Sequence, residues 1–301
     1  MYNGLDSKGS NGYNYYRNLQ YSRENGLVKI LREPSPTRMA RRAAQQTEAG
    51  ERNKTECENC EVKEVDEEAF VYLGSRPSEE GQRDSVRLEG KRRFNRGLFI
   101  LDVLHMPSGC GTWPAFWLTD ENNWPLNGEI DILEGVNYQT TAKTALHTTQ
   151  GCSHFNLPQG LSTGGWDTAI GIPDAKTGIP DMTLRYAKNC FCYDKHQWVN
   201  QGCVAVDNTP DRLGIPLNKK GGGIFVLEWD PVNRHIRSWV FLHSEAPQNL
   251  LDTIRTASDP LKEQRVAPDP RQWTLPYGYF AIGESNAAES VLLRIGNALV
   301  F

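Results

Sequence analysis

The sequence predicts an all-β protein, an antiparallel β-sandwich or jelly roll. Two observations carry this. From Phe70 onward, short apolar or alternating runs recur between Gly, Pro and Asn turns, and none sustains a 3.6-residue period. Those runs are filled by the β-branched and aromatic residues that suit a pleated, half-buried surface. In chain order the predicted strands are Gly26–Ile30, Ser85–Leu88, Gly97–Val103, Glu129–Glu134, Thr144–His147, Ile224–Trp229 and Ile236–Phe241. Asp230-Pro-Val-Asn233 supplies a hairpin turn between the last two. Residues 148–222 read as loops, and helical periodicity is confined to Arg38–Glu51.

Composition bounds the function. A chain of 301 residues holds one large β-domain or two small ones. Its hydrophobic share of 38% and mean hydropathy of −0.58 allow a core with polar segments outside it. A net charge of −4 argues against a general polyanion binder, so nucleic acid is not an expected partner. No apolar run approaches the ~18 residues of a membrane span. The opening MYNGLDSKGSNGYNYY lacks the basic start and apolar run of a signal peptide. The predicted organisation is an N-terminal part of the sandwich over 1–30, an inserted segment over 31–69 and the main domain over 70–301. In 31–69 a basic run (Arg38, Arg41, Arg42, Arg52, Lys54) precedes an acidic one (Glu56 to Glu68). That composition favours a solvated, partly disordered insertion over a nucleic-acid arm.

The seven cysteines are an odd set, so at least one is unpaired. Cys57-x-x-Cys60 has no second pair or His-x₃₋₅-His after it, which argues against a zinc site. Cys190-Phe-Cys192 and Cys203 read as loops stapled by disulfides, which favours an oxidising compartment.

The chemistry is concentrated in Gly128-Glu-Ile-Asp-Ile-Leu-Glu-Gly135. Ionised carboxylates are costly to bury, so a strand does not carry three of them for packing. Alternation puts Glu129 and Asp131 on one face, while Glu134, five residues on, falls on the other. A β-bulge within Ile132-Leu133 would return Glu134 to the face of Glu129. The two Cα atoms would then be roughly 13 Å apart, and inward-leaning side chains would bring the carboxyls to about 5–6 Å. That spacing suits a retaining glycosidase rather than an inverting one. A solvated strand face or a calcium site are the alternatives, although the alternating Ile and Leu are unlike a calcium loop. Just upstream, Trp113, Trp117 and Trp124 offer flat platforms for sugar rings, or else core filler. His147 ends a neighbouring predicted strand, where it is either structural or carried into the cleft.

These residues resemble glycoside hydrolase family 16, in particular its fungal-type endo-β-1,3(4)-glucanases or laminarinases. The resemblance rests on His105-Met-Pro-Ser-Gly-Cys-Gly-Thr-Trp-Pro-Ala-Phe-Trp117 and Asn127-Gly-Glu-Ile-Asp-Ile-Leu-Glu-Gly-Val-Asn137. It continues in Leu146-His147-Thr-Thr, Asn200-Gln-Gly-Cys203, Gly221–Trp229 and Pro268–Trp273. It implies a concanavalin A-like jelly roll with the substrate groove on the concave sheet. By the same resemblance Glu129 is the nucleophile, Glu134 the acid/base and Asp131 the carboxylate tuning the nucleophile. Trp113, Trp117, Trp124 and His147 would line sugar subsites, with Arg87 as a further sugar contact. It further implies a β-glucan partner, no cofactor or metal, no membrane association, a monomer and an extracellular location despite the missing signal peptide. A transglycosylase on the same carboxylates and a non-catalytic β-glucan-binding protein are the alternatives. Members of the family continue past the final strand into a Cys-Gly-Asp-Trp segment, whereas this chain stops at Ala298-Leu-Val-Phe301. An end strand and its staple are therefore expected to be missing.

Overall fold

The computed structural model describes residues 94–119, 123–174, 176–256 and 267–283, together with the backbone of two strands at 19–22 and 27–30. Two sheets face each other. The six-stranded sheet runs β1 (Leu19–Ser22), β2 (Leu27–Ile30), β3 (Gly97–Val103), β11 (Gly223–Asp230), β12 (His235–Leu242) and β13 (Gly278–Ala281). The five-stranded sheet runs β4 (Ala115–Thr119), β5 (Glu129–Glu134), β6 (Lys143–His147), β10 (Cys203–Val206) and β7 (Gly165–Trp166). A small pair, β8 (Ile172–Pro173) and β9 (Pro180–Asp181), stands apart. Pairing is antiparallel except between β2 and β3.

Alternation explains the layers. In β3 and β11, Phe99, Leu101, Phe225, Leu227 and Trp229 point inward and meet Phe116, Leu118, Ile130, Ile132 and Leu146 of the other sheet. The intervening Leu98, Ile100, Ile224 and Val226 point outward, where Leu250 and Ile254 of the helix Gln248–Thr256 cover them. Trp273 closes that outer cluster edge-on against Trp239, with ring centroids 5.3 Å apart. Both faces of β3 and β11 are thus apolar, which is why these strands read as near-continuous hydrophobic runs.

The predicted strands that fall on described residues are all present. At the turn between β11 and β12, Asp230 Oδ1 accepts the N–H groups of Val232 and Asn233, both at 2.9 Å. Several elements escaped the sequence reading, among them β1, the short β7, β8 and β9, and the helix Gly214–Lys219. β4 lies in the tryptophan segment, β10 follows a run of loops and cysteines, and β13 is short. The helix Gln248–Thr256 has only nine residues, too few to show a repeated apolar stripe. The strand predicted at Ser85–Leu88, the segment 31–69 and the chain's last residues lie outside the described residues.

Because Phe116 of β4 is fully buried between the sheets, Phe116→Ala should cost about 3–5 kcal/mol. Leu250→Ala, on the outer cluster, should cost about 2–5 kcal/mol. Urea unfolding curves check both, and a loss below 1 kcal/mol at Phe116 would contradict the sandwich core.

Candidate active site

The outer face of the five-stranded sheet carries the candidate site, and a backbone irregularity decides its composition. Opposite β5, Trp117 pairs with Asp131 and Phe116 with Leu133, so Ile132 has no counterpart on β4. This is the bulge the carboxylate spacing required. Ile130, Ile132 and Leu133 all enter the core, while the register sets Glu129 opposite Thr119, Asp131 opposite Trp117 and Glu134 opposite Ala115. Cross-strand partners share a face, so the three acids and Trp117 look out together. On the other side of β5, His147 is opposite Glu129 and Ala145 opposite Asp131. Gly128 leads into the strand at φ 81°, a left-handed conformation that costs glycine little.

The acids are tied down individually. Trp113 Nε1 donates to Glu134 Oε1 at 2.6 Å. His147 Nε2 lies 3.0 Å from Asp131 Oδ2 and 4.0 Å from Glu129 Oε1. Trp124 stands close enough to Glu129 for its indole N–H to favour the carboxylate, without closing a regular hydrogen bond. Trp117 is half-buried and Trp113 exposed. Arg87 lies outside the described residues.

The structure adds residues that received no role from the sequence. Asn137 adopts a left-handed φ of 57° and knots two loops. Its carbonyl accepts from Gly109 N–H at 3.0 Å, its N–H donates to Thr112 O at 2.9 Å, and its Oδ1 accepts from Gly111 N–H at 2.8 Å. These bonds fix the loop that delivers Trp113. Lys143 shares the face of Ala145 and His147, and its Nζ reaches Asp167 Oδ2 at 2.6 Å. Alternation back from His147 would have found it.

Electrostatics follow from burial and crowding. Desolvation, then repulsion from Asp131, raises Glu129 well above the ordinary carboxylate range. The same two causes push Glu134 up to about 7, opposed by the Trp113 hydrogen bond. For His147, burial favours the neutral ring, but the contact with Asp131, the Cys192 thiol and the charges of Asp131 and Glu129 outweigh it, and its pKa is raised. Glu129, Asp131 and His147 offer ligand atoms close enough to gather a cation, and His147 Nε2 there faces Asp131 Oδ2 at 3.0 Å. At the turn between β11 and β12, Glu228, Asp230 and His235 form another cluster. There Glu228 Oε2 already accepts from His235 at 2.8 Å and Arg237 at 2.5 Å, and Asp230 caps the turn.

Paired carboxylates on an aromatic-lined sheet face are the equipment of glycoside hydrolysis. Residues 39–292 match the family described as "XgeA-like, catalytic GH16 domain". The chain belongs to glycoside hydrolase family 16. It is 36% identical over 220 residues to an endo-1,3(4)-beta-glucanase of Arthroderma benhamiae, covering 71% of this chain and 40% of that protein. The chain spans less than half the length of the curated relatives it matches first. Its fold resembles laminarinase 16A from Phanerochaete chrysosporium, solved with β-glucans in both donor and acceptor sites. The TM-score is 0.53 with 28% identity, covering 75% of this chain and 62% of that one. An elongating family 16 β-1,3-glucosyltransferase matches with a TM-score of 0.52 and 27% identity, covering 75% and 67%.

The raised pKa of Glu134 has a consequence for stability. Above the ordinary carboxylate range the unfolded chain has released this proton while the folded protein still holds it. The native state therefore binds more protons, and its stability falls as pH rises toward the folded pKa. Glutamine escapes that loss. The stability advantage of Glu134→Gln over the wild type should widen between about pH 5 and about pH 8, measured by denaturant midpoints. A gap that does not change with pH would contradict a desolvated Glu134.

Proposed function

We propose that this protein is a retaining endo-glycosidase that hydrolyses β-1,3 or mixed β-1,3/1,4-glucans by double displacement. The observation that carries the reading is the bulge at Ile132, which leaves Glu129 and Glu134 on the outer face of the strand with Asp131 between them. In this reading Glu129 attacks the anomeric carbon while Glu134 protonates the departing glycosidic oxygen, giving a glycosyl ester on Glu129. Glu134, now a carboxylate, removes a proton from water, which attacks the same carbon and releases Glu129. Asp131, held by His147, hydrogen-bonds the nucleophile and sets its protonation. The two glutamates must differ in protonation to act in sequence; His147 and Trp124 pull Glu129 toward its ionised form, against the desolvation and the Asp131 repulsion that raise it. Trp113, Trp117 and Trp124 act as sugar platforms, with His147 and Arg87 as sugar contacts.

Support for the substrate class comes from the names borne by the relatives, endo-1,3(4)-beta-glucanase and laminarinase. A second reading, transfer of the glycosyl group to a sugar hydroxyl instead of water, is favoured by the likeness to the elongating β-1,3-glucosyltransferase. A purely glucan-binding role is disfavoured because both glutamates are present. We place the protein outside the cell and acting as a monomer. Among the described residues no helix is long and apolar enough to cross a membrane.

Reducing-sugar release from laminarin and lichenan tests the proposal. Activity is expected on at least one, with Glu129→Gln lowering kcat by about 10³-fold or more, equivalent to roughly 4 kcal/mol of barrier. A folded sample that cleaves neither glucan, or a fully active Glu129→Gln, would overturn it. Anomer-resolved NMR should show the β-anomer first; initial inversion excludes Glu129 as nucleophile. The alkaline limb of kcat/KM reports Glu134, and Trp113→Phe, which deletes a hydrogen bond to the carboxylate, should shift that limb to higher pH. A downward shift would contradict the assignment.

A further inference from the structure

Beneath the loops that follow β6 lies a second cluster of reactive side chains, which the glycosidase reading does not use. Cys152, His154, Cys190 and Cys203 are all essentially inaccessible to solvent. Two strand-like segments bring them together: Cys190 N–H donates to Cys152 O at 2.9 Å and His154 N–H to Lys188 O at 2.8 Å. Cys190 is bonded to Cys203 of β10, while Cys152 is a free thiol. One potential donor atom from each of Cys152, His154 and Cys190 lies within 4.8 Å of the others.

His154 is the anomaly. It is 2% exposed, and neither ring nitrogen has a hydrogen-bond partner. Its faces and edges are packed instead, stacked on Trp166 at 5.4 Å and edge-on to Phe280 at 5.5 Å. An unmet buried polar group costs about 1–3 kcal/mol, so a structure that keeps one invites an explanation. Burial drives the ring down to about 4, with the Lys188 charge adding to the effect, so it is a neutral imidazole with a lone pair to give. Burial also holds the Cys152 thiol protonated, pushed up to about 12 despite a hydrogen bond involving Thr148. A thiol in that state is a poor nucleophile for exchange with the adjacent disulfide, whereas a coordinating cation would deprotonate it outright.

We propose that the thiol form of the protein binds one thiophilic divalent cation, of the zinc class, through Cys152, Cys190, Cys203 and a ring nitrogen of His154. A dithiol reductant first delivers two electrons and two protons to the Cys190–Cys203 bond, leaving two thiols and its own disulfide. The cation then displaces three thiol protons to water and forms three metal–sulfur bonds and one metal–nitrogen bond. Donors around a tetrahedral zinc stand about 3.8 Å apart for metal–sulfur bonds of ~2.3 Å. The donors of Cys152, His154 and Cys190 therefore need to close by at most about an ångström, while the Cys203 sulfur must draw away from Cys190 once the bridge opens. Four protein donors leave no open position, so this is a closed structural site. It would hold the segments around 152 and 190 against β10 when the covalent bridge is open. The loop wall beside β6 thus has two alternative staples, chosen by redox state.

Cobalt(II) titration of the full chain tests this, in a Cys57→Ser/Cys60→Ser background that removes the Cys-x-x-Cys motif of the sequence. After reduction and removal of the reductant, one equivalent of cobalt should give the visible and near-ultraviolet bands of a tetrahedral thiolate site, and zinc should displace it. Oxidised protein should give no such bands, and Cys152→Ser should weaken binding by about 100-fold or more, beyond the loss of an outer partner. The proposal falls if reduced, folded protein gives no thiolate–cobalt bands, or if oxidised protein gives the same ones. Bands unchanged in Cys152→Ser would overturn it too. If that variant does not fold, the comparison of oxidised and reduced wild-type cysteines in this cluster decides alone.

Discussion

The structure depends on one strand meeting two incompatible demands. β5 must give apolar side chains to the sandwich core and carboxylates to the outer face, and its sequence offers both only if the alternation is broken once. Without the extra residue at Ile132, Glu134 would point among Phe116, Leu118 and the facing sheet, an uncompensated charge in a dry core. The bulge removes that penalty and gains burial for both Ile132 and Leu133. The fold thus pins the register: a slip of one residue would exchange the three acids for two aliphatic side chains and a glycine.

The acids on that face are still partly desolvated, and the surrounding residues are the response. His147 Nε2 sits 3.0 Å from Asp131 and 4.0 Å from Glu129, while Trp113 gives its N–H to Glu134. Each partner is carried by a neighbouring element whose position is itself secured: His147 by the β6 register, Trp113 by the loop that Asn137 knots. The site is consequently a property of three adjoining strands and a loop rather than of a motif alone. Its stiffness comes from the packed sheet behind it, as a positioned pair of glutamates requires.

Much of this was legible in the sequence. β3, β11 and β12 declare themselves as near-continuous hydrophobic runs and β5 and β6 as apolar residues alternating with polar ones, and the five-residue offset of Glu129 and Glu134 calls for a bulge if the two are to share a face. β4 was hidden because its aromatic residues suggested sugar platforms more strongly than a strand, though Trp117 is both a strand residue and a neighbour of Asp131. The helix over the outer face was too short to show a period. The pairing of Cys190 with Cys203, and the imidazole left beside Cys152, depend on contacts between loops and β10 that no local pattern encodes.

The central claim is that the bulge gives Glu129 and Glu134 a common face and different tasks. Mass spectrometry of protein treated with an activated 2-deoxy-2-fluoro-laminarioligosaccharide tests it most directly, since the fluorine slows hydrolysis of any glycosyl ester. The account predicts a single sugar adduct on the peptide of β5, localised to Glu129, that decays on adding an acceptor glucan. An adduct on Glu134 or Asp131, or turnover of glucan with no covalent adduct under any condition, would contradict it.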